Sequence, residues 1–498
     1  MRRSKLIAAA ASLAIAALVM TGCTASKTPV AVHTPTVLRI GVTTDAGGNY
    51  DPITNPNAFV AGYVSPVFDT LLDIKDGKLA PGLVTAWTIK GDDITLTLRH
   101  GVTFQDGVKM DAAAVVANID RARNNALSVV RKDLAGITSD AAVDQNTVQL
   151  VVPTGAGAVL GALAGRAGMV GSPAKFNDKN YQIMPVGAGP WQVSPESVVG
   201  QKMVYTKYKG YWDPSVQGVD RIEISLVDAN TAPSALLGGQ IDIGTLEGRP
   251  DLIPQVKAAG FNLETFPDVP YQHVMYVAKK GPLADPKVRE AISLAIDRKA
   301  ISDGILNSAC TPETALQALP GASEVKAPKA DVAAAKQMLI DAGYPNGIDI
   351  NVVVSNAGSG STILQAIQGQ VAPAGIRIKV NPLARAQLLS TFVGGSADAY
   401  FTVNTGDFDP APLVSQLTST LSPGGSDASL DALAAVGANA VDPAARTAIY
   451  SDWNKRFAQI GFAIGICNLT LPYLVKKGIK GLKVGSPLHI DPRGLTVP

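Results

Sequence analysis

The residue types able to do chemistry are few and widely spaced. Four histidines, His33, His100, His273 and His489, lie far apart; none sits four residues from another or beside a cysteine pair. The chain has no HExxH and no CxxC, so no metal-ligand set is apparent, and neither metal nor cofactor is expected. It has no GxSxG elbow to hold a nucleophile. Gly155-Ala156-Gly157 with Gly161 imitates a dinucleotide loop, but the third glycine comes one place late and Pro153 interrupts the approach. A loop feeding a small-residue helix is the better account. Ser355 to Thr362, SNAGSGST, lies between a predicted strand and a predicted helix, where free N–H groups either hold an anion or polar ligand atom or simply cap the helix. Val403 to Pro412, VNTGDFDPAP, carries two carboxylates. By composition Asp407 reads as a solvated turn residue, and Asp409-Pro410 as a turn and cap.

Cys23 stands in a different setting. Arg2, Arg3 and Lys5 make a cationic start, Leu6 to Met20 is an apolar run too short to span a bilayer stably, and Met20-Thr21-Gly22 leads into the cysteine. This is the layout of a secretory signal, residues 1–22, ending at a lipoprotein cleavage site. The Cys23 thiol would carry lipid, and several acyl chains hold a soluble body at a membrane where one would let it leave. An ordinary cleaved signal with an incidental cysteine is the alternative. Cys310 and Cys467 remain, an even pair in an oxidising compartment. A disulfide between them would close a loop of about 157 residues, worth on the order of 5 kcal/mol in the chain-entropy model. Two free buried thiols are the other possibility.

At 498 residues the chain is too long for one domain. Its 43 basic and 41 acidic residues give +2, and removing Arg2, Arg3 and Lys5 leaves a mature net charge near −1. Nucleic acid is not an expected partner, because phosphate binding needs a basic face. No apolar run after the first reaches spanning length.

These residues must be positioned by alternating strands and helices. Ala25 to Thr36 reads as a linker. Val37 to Val42 alternates as a first strand; Thr85–Ile89 and Ile94–Leu98 flank Gly91-Asp92-Asp93 as a hairpin; Asp111 caps a helix. Strands follow at Val148–Val152, Asp220–Val227, Ile348–Val354 and Ile376–Val380. Helices are predicted over Asp331–Ala342, Ser361–Val371 and Ala444–Ile460. Pro286–Ile301 predicts one long amphipathic helix with a stripe of Val288, Ala291, Ile292, Ala295 and Ile296. The class is α/β with mixed sheets, and no internal repeat is visible.

Several segments resemble the solute-binding proteins of peptide and nickel ABC transporters, the large oligopeptide-binding class, family 5. They are LAPGLVTAWTIKGDDITLTLRHGVTFQDGVKMDAAAVVANIDRA (79–122), MPVGAGPWQV (184–193), YKGYWD (208–213), LLGGQIDIG (236–244) and DPKVREAISLAIDRKAI (285–301). They occur in that family's order. The resemblance implies a two-lobed periplasmic-binding-protein-like fold, type II, with an extra domain and mixed sheets flanked by helices. Lobe 1 would be 37–68, 187–275 and 472–498, the additional domain 69–186 and lobe 2 276–471, with 23–36 as lipid anchor and linker. Both Cys310 and Cys467 would then fall in lobe 2.

The implied function is capture, without catalysis, of an oligopeptide or dipeptide in an interlobe cleft by a monomeric lipoprotein. It would deliver the peptide to a membrane permease and its ATPase, on the outer face of a Gram-positive-type cell membrane or in a periplasm. In relatives an aspartate of the second lobe grips the peptide amino group, and Asp407 falls at that position. Val403 to Thr405 would offer backbone to an extended peptide. Val403-Asn404 replaces the family's common Gly-Trp, which removes an aromatic wall. Arg385 and Ser359 fall where relatives line the pocket, with Arg385 suited to a ligand carboxylate. Asn57 and Ala58 fall on the facing first-lobe segment, and Tyr271 is a further cleft candidate. A non-peptide solute such as a nickel chelate, sugar or opine-like molecule, a surface hydrolase, and a receptor or adhesin stay open as alternatives.

Overall fold

Leu38 and Ile40 alternate with more exposed neighbours, and the strand Val37–Val42 that they build lies in the middle of a seven-stranded sheet. The computed structural model describes residues 35–75, 77–228, 231–245, 252–266, 269–356, 358–406, 409–485 and 489–498. The expected leader and Cys23 lie outside these residues, and so does Asp407. The sheet order is Phe261–Thr265, Pro472–Lys476, Ile243–Thr245, Val37–Val42, Arg221–Leu226, Lys202–Lys207 and Trp191–Val193. Val37–Val42 runs parallel to Arg221–Leu226, bringing Leu38 and Ile40 level with Ile222 and Ile224. All four of these side chains are buried.

A second, six-stranded sheet has the order Cys310–Pro312, Ala463–Leu469, Gln272–Val277, Ala399–Asn404, Ile348–Ser355 and Ile376–Leu383. Parallel and antiparallel pairs mix in both sheets, as α/β folds with crossover helices require. The strand Gln272–Val277 is paired on both edges within this second sheet. Residues 272–275, which the expected boundary gave to lobe 1, are therefore bonded within the second sheet. The chain passes between the sheets twice, after Thr265 and after Leu469. At these passages Leu469 N donates to Tyr271 O (3.0 Å) and Tyr271 N to the Asn468 side chain (3.0 Å).

The expected hairpin forms as Val84–Lys90 and Asp93–Leu98 in a four-stranded antiparallel sheet with Thr147–Val151 and Ser139–Asp144. Gly91 supplies the positive φ (61°) at its turn. Asp111 caps the helix Ala112–Asn124 by accepting from Ala114 N (2.9 Å). The glycine-rich stretch after Pro153 becomes the helix Ala156–Leu163, packed on the lobe 2 helices Pro410–Thr418 and Ala428–Asn439. Gly155 N donates to the Asn439 side chain (2.6 Å). A Cβ on Gly157 would strike the Ala440 carbonyl, and one on Gly161 the Asp409 carboxylate. Gly157 and Gly161 there serve close approach.

The single helix expected over Pro286–Ile301 is two, Pro286–Leu294 and Arg298–Ile305. Asp297 makes the break: its carboxylate accepts from Ala300 N (2.9 Å) as a new N-cap, and its own N–H donates to Gln370 Oε1 (3.0 Å). Arg298 then turns inward at 2% exposure and donates to the carbonyls of Gly465 and Ser293, each at 2.9 Å. Burial pushes its guanidinium down to about 10. The apolar stripe was legible, but a buried arginine held by carbonyls leaves no apolar signature. Replacing Asp297 with Ala removes the cap and is expected to cost about 1 kcal/mol, read as a lower urea midpoint at unchanged slope. An unchanged midpoint would contradict this account of the break.

Candidate functional site

The strands Ile348–Ser355 and Ala399–Asn404 run parallel, so their carboxyl ends open on one side of the second sheet. Ligands of α/β folds gather at such ends, because the following loops and helix N-termini leave N–H groups unpaired there. A cavity of about 300 Å³ occupies this position. Val354, Ser355 and Thr402 to Gly406 bring its floor, Ser359 and Gly360 the start of the helix Gly360–Val371, and Arg385 the start of the helix Arg385–Val393. Tyr271, His273 and Tyr276 come from the central strand and its approach, and Phe59 reaches in from lobe 1. A smaller cavity of about 80 Å³ shares Phe59, Tyr271 and Arg385 and continues to Ile40, Tyr63 and Tyr473 of the first lobe.

Six of the residues singled out above thus share one cavity: Tyr271, Ser359, Arg385, Val403, Asn404 and Thr405. Asn57 does not line it. Its side chain closes a local turn, with Nδ2 on Asp45 O (3.0 Å) and Oδ1 accepting from Phe59 N (3.0 Å). Ala58 begins the turn Ala58–Val60 that carries Phe59. The first-lobe contact is therefore Phe59, whose ring centroid lies 5.7 Å from the Arg385 guanidinium carbon. This is a cation–π contact across the cleft. Nothing local in the sequence distinguishes Phe59 from a core aromatic.

Asn404 has a positioning role. It is 6% exposed; its Nδ2 donates to Tyr276 OH (2.7 Å), and its Oδ1 accepts from Gly406 N (3.0 Å). Gly406, at φ 73°, turns the chain immediately before Asp407. Both ends of the amide are used inside the protein, so Asn404 shapes the loop in place of a ligand-facing wall. Burial raises the pKa of the Tyr276 and Tyr400 hydroxyls, keeping both as neutral hydrogen-bonding groups. Among the described lining residues, Arg385 is the only side chain that carries a permanent charge.

A larger cavity of about 530 Å³ lies elsewhere, between Ser65–Gly82 and Lys483–Arg493. Its central Asp69 already accepts from Tyr211 OH (2.8 Å), Trp212 Nε1 (2.9 Å) and Arg493 (2.6 Å). That carboxylate is saturated by the protein, which leaves the interlobe cavity with the better set of groups turned toward a guest.

His273, 1% exposed, is stacked on Phe401 and edge-on to Tyr271. Its position in the buried run QHVMYV is the one signal that marks it. Burial pushes its imidazole down to about 4, against about 6.5 in an unfolded chain. Between those values the unfolded state binds more protons. Stability is therefore lost as pH falls from about 6.5 to about 4, by up to about 3 kcal/mol. Urea unfolding across this range is expected to show a steeper fall for wild type than for His273→Leu. Parallel curves would contradict a buried neutral His273.

Comparison with known proteins follows the same lines. Residues 78–425 match the model for bacterial extracellular solute-binding proteins, family 5 Middle. The glutathione-binding protein GsiB of Escherichia coli K12 is 31% identical over 322 residues, which are 63% of this chain and 63% of that protein. The chain thus matches less than two thirds of that relative's length. The solved structure of AgaA with agropinic acid, from A. tumefaciens R10, superposes at TM-score 0.80 with 24% identity, covering 93% of this chain and 99% of that one. DppA of Helicobacter pylori with peptide STSA superposes at TM-score 0.80 with 19% identity, covering 93% and 98%. These likenesses are of fold, and they bear out the two-lobed periplasmic-binding-protein architecture. With the family match over most of its length, the chain belongs to the bacterial extracellular solute-binding proteins, family 5.

Proposed function

We propose that this protein captures a short peptide, of two or three residues, in the interlobe cavity and delivers it to the permease of an ABC importer. The observation that carries this reading is the set of groups around the cavity. Arg385 offers a cation to a ligand carboxylate, Thr402 to Thr405 offer strand backbone, and Tyr271, Tyr276 and Tyr400 supply apolar faces with hydroxyl tips. A volume of about 300 Å³ is at the small end of ligand sites, which favours a short peptide over a long one. Relatives named for glutathione binding, and a neighbour holding peptide STSA, support the same class of cargo. Asp407 follows Gly406, a lining residue, and is assigned the peptide ammonium; a closing cleft makes its carboxylate costly unless such a partner arrives. The lobes would close on a guest that touches both, with Arg385 of lobe 2 and Phe59 of lobe 1 already 5.7 Å apart across the cavity. The cargo leaves chemically unaltered, and the protein works as a monomer tethered through lipid on Cys23 outside the cytoplasm. Among the described residues no helix is long and apolar enough to cross a membrane.

Isothermal titration with free-amino dipeptides and tripeptides tests the reading. Asp407→Ala and Arg385→Ala are each expected to weaken binding at least tenfold, about 1.4 kcal/mol. N-acetylation of the peptide should erase the Asp407 effect alone. Wild-type affinity in Asp407→Ala rejects the ammonium anchor, and a preference for opine-like acids over peptides rejects the cargo. For the tether, Cys23→Ser is expected to move the protein from membrane to soluble fractions; retention on membranes would refute lipidation there.

A further inference from the structure

The two joined cavities of the cleft are lined by different chemistry. Phe59, Tyr271 and Arg385 line both, so these three frame the passage from one to the other. On the lobe 2 side the wall is closed: behind His273 lies the Cys310–Cys467 disulfide, with both sulfurs within 4.8 Å of a ring nitrogen. Past the passage, in the cavity of about 80 Å³, Ile40, Val42, Ile224, Leu471 and Ile490 supply aliphatic side chains. All of these but Val42 are buried. Tyr63 OH donates to Thr44 O (3.1 Å), which spends the phenol inside the protein. The His489 ring lies against Gly485, which lines the cavity of about 530 Å³. Among the described lining residues past Arg385 there is no carboxylate, lysine or arginine. Gly62 is part of this wall. A Cβ built there would meet only the His489 Cβ, at 3.8 Å, among atoms outside its own turn, so the space beside Gly62 is open.

We propose that this smaller cavity is the subsite for the side chain of the peptide's C-terminal residue, and that it selects a small aliphatic group the size of valine's. The inference rests on the peptide reading above. A peptide carboxylate held by Arg385 puts the α-carbon of that same residue at the passage, because a single bond separates the two. Its side chain is then the part of the guest that reaches past Phe59 and Tyr271. The lining there rewards buried carbon. A charged side chain would lose its water and meet no partner. Size is the second filter. A dry apolar cavity of about 150 Å³ holds benzene with its six carbons. By that measure about 80 Å³ takes about three carbons, an isopropyl group, and an indole does not fit. Glycine at the C-terminus would leave the space without a guest. Gly62 matters because any larger residue at its position would occupy the same room.

The test is isothermal titration of the protein with the free-amino tripeptides Ala-Ala-Val, Ala-Ala-Gly, Ala-Ala-Asp and Ala-Ala-Trp. Ala-Ala-Val is expected to bind at least tenfold more tightly than each of the other three. In Gly62→Leu, whose side chain would fill the space, Ala-Ala-Val should bind no more tightly than Ala-Ala-Gly. Equal affinity of wild type for Ala-Ala-Val and Ala-Ala-Gly, tighter binding of Ala-Ala-Asp or Ala-Ala-Trp, or a valine preference that survives Gly62→Leu would each overturn the subsite. Should Gly62→Leu lose its far-ultraviolet circular dichroism, the wild-type series decides alone. Binding of none of the four peptides rejects peptide capture itself and the subsite with it, whereas binding without preference leaves capture standing and rejects the subsite.

Discussion

The strand Gln272–Val277 is hydrogen-bonded along both edges and buried at all six positions. The rest of the ligand seat depends on that constraint. A strand held this way cannot shift register without moving every side chain it carries to the opposite packed face. Its start follows the first crossover between the sheets, so Tyr271 stands at that crossover and at the cavity together. His273 and Tyr276 project from it to opposite faces, one toward the disulfide and one toward Asn404. Ala399–Asn404 is bonded to one edge and Ala463–Leu469 to the other, so Asn404 and Cys467 inherit their positions from the same six residues.

Two sets of contacts fix the chain on either side of the turn that follows that rigid centre. The Asn404 amide ties Tyr276 to Gly406 and fixes the turn from which Asp407 departs. Asp409, two residues beyond Asp407, accepts from Ala411 N (2.9 Å) and from the Arg446 guanidinium (2.7 Å) at 5% exposure. Gly161 of the appended four-stranded unit lies against that carboxylate. Lobe 2 is therefore approached at two places, at Arg385 by Phe59 of lobe 1 and at Asp409 by the helix Ala156–Leu163. The absence of side chains at Gly157 and Gly161 lets the second approach come within backbone contact.

Local features were legible in the sequence because their causes are local. The hairpin at Gly91, the cap at Asp111 and the strand Val37–Val42 follow from turn chemistry, a side-chain acceptor and alternation. The break at Asp297 was misread because the apolar period runs on through it; what ends the helix is a cap and a buried Arg298, both non-periodic. The cavity was legible only through family resemblance. Its groups at Tyr271, Ser359, Arg385 and Asn404 come from separate elements, and no spacing links them. Asn57 stood two residues from the true first-lobe contact, Phe59, because the turn it closes spends its polar groups locally. The Cys310–Cys467 bridge was legible as an even pair of cysteines, whereas the place of His273 beside it was not, since adjacency there is across strands and not along the chain.

Closure of the two lobes around a guest is the claim on which the functional account stands, and small-angle X-ray scattering reads it most directly. Protein stripped of solute and then saturated with a free-amino tripeptide, with occupancy verified by calorimetry, should contract to a smaller radius of gyration with a narrower distance distribution. Superimposable curves from the empty and the occupied protein would contradict an interlobe seat.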